Sequence, residues 1–270
     1  MDDLHNKKKL LENYISSAGK IAVAYSAGVD STFLLKTASN IPGVTALAIT
    51  VRSAFFPQEE ADRASEFCKK ENIEQIIIDF DVMGKDEIIA NPYDRCYHCK
   101  KAIFEKVREK AEEKGISVIY DGTNFDDISD FRPGMKALEE LGIESPLLRL
   151  GIRKSEIRAL SAEMGLDTAD KPSLACLASR IPYGDRITED KLEKAEKGER
   201  FLREQGFGQL RLRIHGNIAR IEIAPEDFDR FSDTALRNNI SAYLHGLGLD
   251  FVTLDLDGYR TGSLNPKGLR

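Results

Sequence analysis

Two groups of residues in this 270-residue chain have the types and spacing that chemistry needs. The first is Ser26-Ala27-Gly28-Val29-Asp30-Ser31, small and hydroxyl-bearing residues that close the apolar run Ile21 to Tyr25 and lead into the helix-forming stretch Thr32 to Ala38. A strand, a tight loop and a helix in that order leave the loop's backbone N–H groups without intrahelical acceptors. With the helix dipole, those groups aim at one point above the strand end. Such a point takes an anion. Ala27 and Gly28 put no bulk between a phosphate and the backbone, and the hydroxyls of Ser26, Ser31 and Thr32 add donors. An ordinary turn capped by Asp30 or Ser31 is the other reading of the same string.

The second group is a set of thiols. Cys96 and Cys99 lie three apart in Asn91-Pro92-Tyr93-Asp94-Arg95-Cys96-Tyr97-His98-Cys99-Lys100, at the mouth of a helix that continues through Lys101-Ala102-Ile103-Phe104. That spacing lets both sulfurs face one point, and a helix N-terminus flanked by Arg95, Lys100 and Lys101 favours thiolates. A single C-x-x-C is compatible with a redox pair, half of a zinc site, part of an iron–sulfur site or two unreactive cysteines. Cys176 is the third thiol of interest. It sits in Asp170 to Gly184, a long non-periodic segment with Pro172, Pro182 and Arg180, of the kind that forms active-site loops in compact domains. Cys68, among Phe67, Lys69 and Lys70, reads as a buried structural thiol.

The elements that must position these groups follow an alternating pattern. Leu4, Leu10, Leu11, Tyr14 and Ile15 give an opening helix its apolar stripe. Strands are expected at 21–25, 44–51, 76–80 and 117–120, with a short fifth at Pro146-Leu147-Leu148 and helices between them, one starting at Pro57 and another running from Lys154 to Met164. Near-continuous apolar strands alternating with helices form a parallel sheet covered on both faces, and ligands of such sheets sit at the strands' carboxyl ends. Asp121-Gly122-Thr123-Asn124-Phe125-Asp126-Asp127 follows the fourth strand, so Asp121, Asn124 and Asp127 are candidates for contact with a nucleotide or its Mg2+, and Arg132 for a nearby cation. From Thr188 the texture changes to a charged helix, two strands turning at Gly216-Asn217, a helix over 233–247 and a strand over 251–256. A boundary near Arg186 therefore divides residues 1–186 from a small α+β unit at 187–270. There Arg211 and Arg213 share a strand face suited to a phosphate, and Glu199 and Glu222 are candidate cation ligands.

Composition excludes several classes. With 41% hydrophobic residues the chain can bury a substantial core, and four cysteines in this length are no disulfide scaffold. A formal net charge of −6 gives no global electrostatic reason to expect tRNA or another nucleic acid. No apolar run is long enough to span a bilayer and Met1-Asp2-Asp3 opens a polar stretch, so a cytoplasmic location is expected.

The string at residues 26–31 resembles the Ser-Gly-Gly-x-Asp-Ser signature of the PP-loop ATP pyrophosphatases, an adenine nucleotide alpha hydrolase-like fold, with Ala27 at the place of the first glycine. An alanine prefers negative φ, so the loop is expected to accommodate that or be reshaped. Neither Gly-x-x-x-x-Gly-Lys-Ser/Thr nor Gly-x-Gly-x-x-Gly occurs at this strand end. The resemblance implies that the loop holds the β and γ phosphates of ATP while a nucleophile attacks the α-phosphorus and pyrophosphate leaves.

Over its whole length the chain is similar to the LarE family of ATP-dependent sulfurtransferases. The similarity rests on residues 26–31, Asp121-Gly122-Thr123-Asn124, Arg132-Pro133-Gly134, Cys176 to Gly184, Arg211-x-Arg213, Ile218 to Glu222 and Val252 to Leu256. It implies adenylation of a carboxylate of pyridinium-3,5-biscarboxylic acid mononucleotide and its conversion to a thiocarboxylate, in synthesis of a nickel-pincer cofactor. It further implies that Asp30 and residues 26–31 hold ATP and Mg2+, and that Ser179, Arg211 and Arg213 hold the substrate phosphate. Cys96, Cys99 and Cys176 match the three-cysteine members, which bind a 4Fe-4S cluster supplied by a sulfide source; the other members sacrifice one cysteine sulfur, here that of Cys176. A homo-oligomer is expected on the same ground. The rivals are a tRNA thiolase or an amide-forming PP-loop synthetase of the NAD or GMP type.

Overall fold

The computed structural model of the protein describes residues 2–129, 133–172, 175–260 and 262–264. In chain order the helices are α1 (Asp2–Ser16), α2 (Val29–Ser39), α3 (Gln58–Lys70), α4 (Asp86–Ile89), α5 (Arg95–Glu113), α6 (Gly134–Glu140), α7 (Pro146–Arg149), α8 (Lys154–Glu163), α9 (Glu189–Glu204) and α10 (Thr234–Gly246). The strands are β1 (Lys20–Ala24), β2 (Thr45–Arg52), β3 (Glu74–Asp79), β4 (Val118–Tyr120), β5 (Leu210–His215), β6 (Ile218–Ile223) and β7 (Phe251–Leu254). The chain divides into two units, one made of Met1–Asp81 with Asp94–Leu174, the other of Val82–Tyr93 with Ala175–Arg270.

The first unit is a parallel sheet in the order β3-β2-β1-β4. Alternation along β1 sends Ile21 and Val23 to one face, where they pack with α1, α2, α3 and α8 through Leu11, Phe33, Leu34, Ala64 and Ile157. Ala22 faces the other side, with Ile103, Phe104 and Val107 of α5 and Leu138 of α6. Both faces are covered, as continuous apolar strands require. The chain places β2 and β3 on one side of β1, then returns to lay β4 on the other. The direction of winding thus reverses at β1, and the crevice outside the carboxyl ends of β1 and β4 is where such sheets bind ligands.

Two expectations about this unit need correction. Pro146-Leu147-Leu148 is not a fifth strand but helix α7, with Pro146 at its first position, where a missing N–H costs nothing. A short apolar run fits a buried helix as well as a strand. The pairing that a fifth strand would have given β4 comes instead from Glu144, which receives the Asp121 N–H at 2.9 Å and donates to Ile119 O at 3.0 Å. Within the opening stripe, Leu11 and Ile15 are buried but Leu10 faces solvent.

The second unit is a three-stranded sheet, β5-β6-β7, antiparallel and then parallel, packed on α9 and α10. Gly198 lets α9 approach β5, since a Cβ there would stand 2.2 Å from Leu212 Cδ2. The unit reaches back in sequence to take 82–93. Asn91, fully buried, donates from Nδ2 to Ile181 O, Pro182 O and Asp185 O at 3.3, 2.7 and 3.0 Å. Against an expected boundary near Arg186, the observed division falls between Leu174 and Ala175. No helix among the described residues is long and apolar enough to cross a membrane.

Candidate active site

The loop of residues 26–31 leaves β1 and enters α2 with Gly28 as the helix cap, extended at φ −77° and ψ 159°, and with no side chain capping the turn. Neither Asp30 nor Ser31 is the cap; both stand inside the first turn. The first N–H groups of α2 therefore have no intrahelical acceptor and face outward from the strand end. Ala27 is left-handed at φ +54°. An alanine was expected to keep negative φ; here the loop imposes a conformation that costs a non-glycine residue about 1–2 kcal/mol. The Ser31 hydroxyl donates to Gly28 O at 3.2 Å and accepts the Ser26 N–H at 3.3 Å, closing the loop on itself.

Residues 121–124, at the end of β4, lie against this turn. A Cβ on Gly122 would stand 3.0 Å from Ser31 N, so only glycine lets the two strand-end loops meet this closely. Asp121 is buried and serves the loop itself, accepting from Thr123 N–H, the Thr123 hydroxyl and the Ser145 hydroxyl, with Lys100 Nζ 3.7 Å away. Asn124 donates from Nδ2 to Asp30 Oδ1 at 3.4 Å. Asp127 accepts the Asn124 N–H at 2.9 Å, and Asp126 accepts the Lys154 N–H at 2.8 Å. Asp30 is ion-paired to Lys154, the first residue of α8. Burial lifts the Asp30 carboxyl above its ordinary range, against the pull of the Lys154 ammonium, and Asp127 adds to the rise. Arg132 lies outside the described residues.

Cys96 and Cys99 occupy the first turn of α5, one helical turn apart and half-buried; Cys99 packs beside the core around Ala22 and Leu47. The Arg95 guanidinium is buried and lies 3.8 Å from Cys96 Sγ. Gly134, at the start of α6, fits over this turn because a Cβ would come within 3.2 Å of Cys96 O. His98 pairs with Asp94 at 3.2 Å. In the second unit Cys176 precedes a 3-10 turn over Leu177–Arg180, and its carbonyl receives the Ser179 N–H at 2.9 Å. None of the four cysteines, Cys68, Cys96, Cys99 and Cys176, is in a disulfide. Cys68 is buried, and burial pushes its thiol up to about 12. Among the described residues of either unit, no three His, Cys, Asp or Glu side chains are gathered as a metal-binding group.

The second unit brings Ser179, Arg211, Arg213, Glu199 and Glu222 into one buried polar layer. Glu199 accepts from Arg180 Nε at 2.7 Å and Nη2 at 2.9 Å, from Arg203 at 2.9 Å and from the Leu212 N–H at 3.1 Å. Burial would raise this carboxyl, but Arg180, together with Arg211 and Arg203, outweighs it and holds Glu199 below the usual carboxylate range. Glu222 accepts from Arg213 at 2.8 Å, Arg220 at 2.9 Å and the Ser263 hydroxyl at 2.7 Å. Arg213 also donates to Ser179 O at 2.7 Å, and Arg211 lies over the Tyr259 ring, 5.2 Å from its centroid. Both glutamates, expected as cation ligands, are thus engaged by guanidinium groups, which orient the arginines. Sequence reasoning did not find Lys154, Lys171, which donates to Ala27 O at 2.9 Å, the Arg180–Glu199 pair, Tyr259 or Ser263 as parts of these clusters; the lysines carry no motif, and the others meet only across the fold.

A nucleotide-type loop at the switch point of a parallel sheet, with a glycine-dependent second loop packed on it, defines the chain as an α/β protein of the PP-loop class. Relatives agree. A tRNA-specific 2-thiouridylase of Azorhizobium caulinodans is 26% identical over 67% of this chain and 55% of its own. An uncharacterised protein of Synechocystis is 37% identical over 97% and 98% of the two chains. The pyridinium-3,5-bisthiocarboxylic acid mononucleotide synthase of Lactiplantibacillus plantarum is 34% identical over 98% of this chain and 96% of its own. The chain belongs to the family of that synthase, the LarE family. No protein-family model matches it.

Proposed function

We propose that the protein is an ATP-dependent sulfurtransferase that adenylates a carboxylate of pyridinium-3,5-biscarboxylic acid mononucleotide and converts it to a thiocarboxylate, as a step in making a nickel-pincer cofactor. The observation that carries this reading is the loop pair at the carboxyl ends of β1 and β4, where the left-handed Ala27 and the extended Gly28 open the α2 N-terminus and Gly122 packs on Ser31. A near full-length relative named as a bisthiocarboxylic acid synthase supports the substrate class. The N–H groups of the loop hold the β and γ phosphates, and Asp30, now paired with Lys154, would hold the Mg2+ that accompanies them, which would offset their charge. A substrate carboxylate oxygen attacks the α-phosphorus; pyrophosphate departs and a mixed anhydride forms. A sulfur nucleophile then adds to the carbonyl carbon, and AMP leaves with the oxygen that made the attack.

Buried Arg211 and Arg213, held by Glu222, Ser179 and Tyr259, are suited to the substrate's own phosphate. The donor set fits an iron–sulfur cluster in kind: Cys96, Cys99 and Cys176 are half-buried thiols outside any disulfide, two of them one helical turn apart at a helix N-terminus. A 4Fe-4S cluster held by these three would supply a transferable sulfide at the iron without a protein ligand. Anaerobic incubation with ATP, Mg2+ and the mononucleotide, after reconstitution with iron and sulfide, tests the reading. The expected result is AMP, pyrophosphate and a product in which sulfur replaces oxygen; sulfur appearing in tRNA instead would overturn the substrate class. Loss of the cluster absorbance in Cys96→Ala, Cys99→Ala and Cys176→Ala is expected. A Cys176 lighter by the mass of hydrogen sulfide after turnover would instead assign the sulfur to that side chain.

A further inference from the structure

Lys171 is a half-buried cation that the reaction scheme above does not use. Its ammonium donates to Ala27 O at 2.9 Å and to Glu60 Oε2 at 2.6 Å, with the Lys171 and Glu60 side chains only 11% and 14% exposed. The lysine is itself held in place: Arg158 on α8 donates to Lys171 O at 2.7 Å and also to Ala169 O. Arg158 lies one turn beyond Lys154 on the same helix, and Lys154 holds Asp30. Helix α8 therefore grips the nucleotide loop twice, once through Asp30 and once through Lys171.

The grip through Lys171 falls on the one peptide whose direction matters most. In a planar trans peptide the C=O of one residue and the N–H of the next point opposite ways. Fixing Ala27 O on Lys171 turns the Gly28 N–H away from the lysine, in the residue that caps α2. It does so at a left-handed alanine, a conformation that the residue leaves readily if nothing holds it. Lys171 stands behind this peptide, on the opposite side from the Gly28 N–H.

We propose that Lys171 is a positioning residue: it holds the Ala27–Gly28 peptide in the orientation that presents the loop's N–H groups to the phosphates of ATP, in place of the conformational freedom a glycine would provide at residue 27. This rests on the reading that the loop binds ATP phosphates. The test is calorimetric titration of the full chain with the Mg2+ complex of α,β-methylene-ATP, for the wild type, Lys171→Met, Lys171→Arg and Lys171→Met combined with Ala27→Gly. Lys171→Met should weaken binding about tenfold or more, Lys171→Arg should restore part of it, and adding Ala27→Gly should recover most of it, because glycine adopts positive φ without a latch. A lysine that touched phosphate directly would lose binding with no rescue by Ala27→Gly, and that result overturns the proposal. Unchanged affinity in Lys171→Met overturns it as well, while the ATP reading survives; no binding by the wild type overturns both. Should Lys171→Met fail to fold, Glu60→Gln is expected to give a smaller loss with the same rescue by Ala27→Gly, and no loss or no rescue would contradict the latch.

Discussion

In the parallel-sheet unit the groups proposed to face an anion are backbone amides at the start of α2, while in the second unit they are guanidinium groups buried beside carboxylates. The two materials demand different support. Amides carry no net charge and need no counter-ion, but they need a backbone shape that small residues or a tether must enforce. Here Ala27 is left-handed, Gly122 admits the neighbouring loop and Lys171 holds a carbonyl. Guanidinium groups need little from the backbone, yet burying them uncompensated is prohibitive, so Glu199 and Glu222 are buried with them. Burial depresses the pKa of Arg211, and the neighbouring Arg180 adds to the fall, against the pull of Glu199.

The comparison is sharpest where one charge of a pair is removed. Arg180→Met would leave Glu199 with a 2% exposed side chain and without its principal partner, and should cost about 3–5 kcal/mol in denaturant unfolding. In the first unit, Lys154→Met removes the partner of Asp30 from a pair exposed at 26% and 19%, and should cost about 1 kcal/mol or less. Equal costs would erase the distinction between the units.

A methyl group tests the backbone side of the comparison. Gly122→Ala puts a Cβ about where Ser31 N allows none, so the two loops must separate by a few tenths of an ångström or more. The expected result is a fall in ATP-dependent turnover of up to about 10²-fold with a much smaller change in unfolding midpoint. An unchanged rate would mean that the loop pair does not set the geometry of the site.

Acid reports on the guanidinium side. Glu199 is held below its ordinary pKa, so its contribution to stability is complete above the unfolded value of about 4.3 and is lost as pH falls through the lower folded value. Glu199→Gln should flatten the loss of stability below about pH 4.3 in pH-dependent unfolding. The smallest effect belongs to Ala27→Gly alone. Relief of about 1–2 kcal/mol of left-handed strain is offset by roughly 0.5–1 kcal/mol of extra chain entropy, leaving a gain of about 0–1.5 kcal/mol by thermal unfolding.

What could be read before folding follows the same division. The place of residues 26–31 and 121–124 at strand ends was legible because apolar runs there give way to small and hydroxyl residues. The handedness of Ala27 was not, since its latch, Lys171, lies 144 residues away in sequence and a lysine before a proline reads as solvated. The buried arginine layer was half legible: the spacing of Arg211 and Arg213 placed them on one face, but the pairing of Arg180 with Glu199 exists only once α9 packs on β5. That Val82–Tyr93 groups with residues 175–270 could not be read locally, because the hold of Asn91 on 181–185 is a long-range contact.

The central claim is that the loop of the first unit activates a substrate carboxylate by adenylation. It is tested most directly by turning over pyridinium-3,5-biscarboxylic acid mononucleotide labelled with 18O in its carboxylates and reading the AMP by mass spectrometry. The account predicts one 18O in each AMP formed, with none in the pyrophosphate. Unlabelled AMP, or ATP cleaved between its β and γ phosphates, would contradict it.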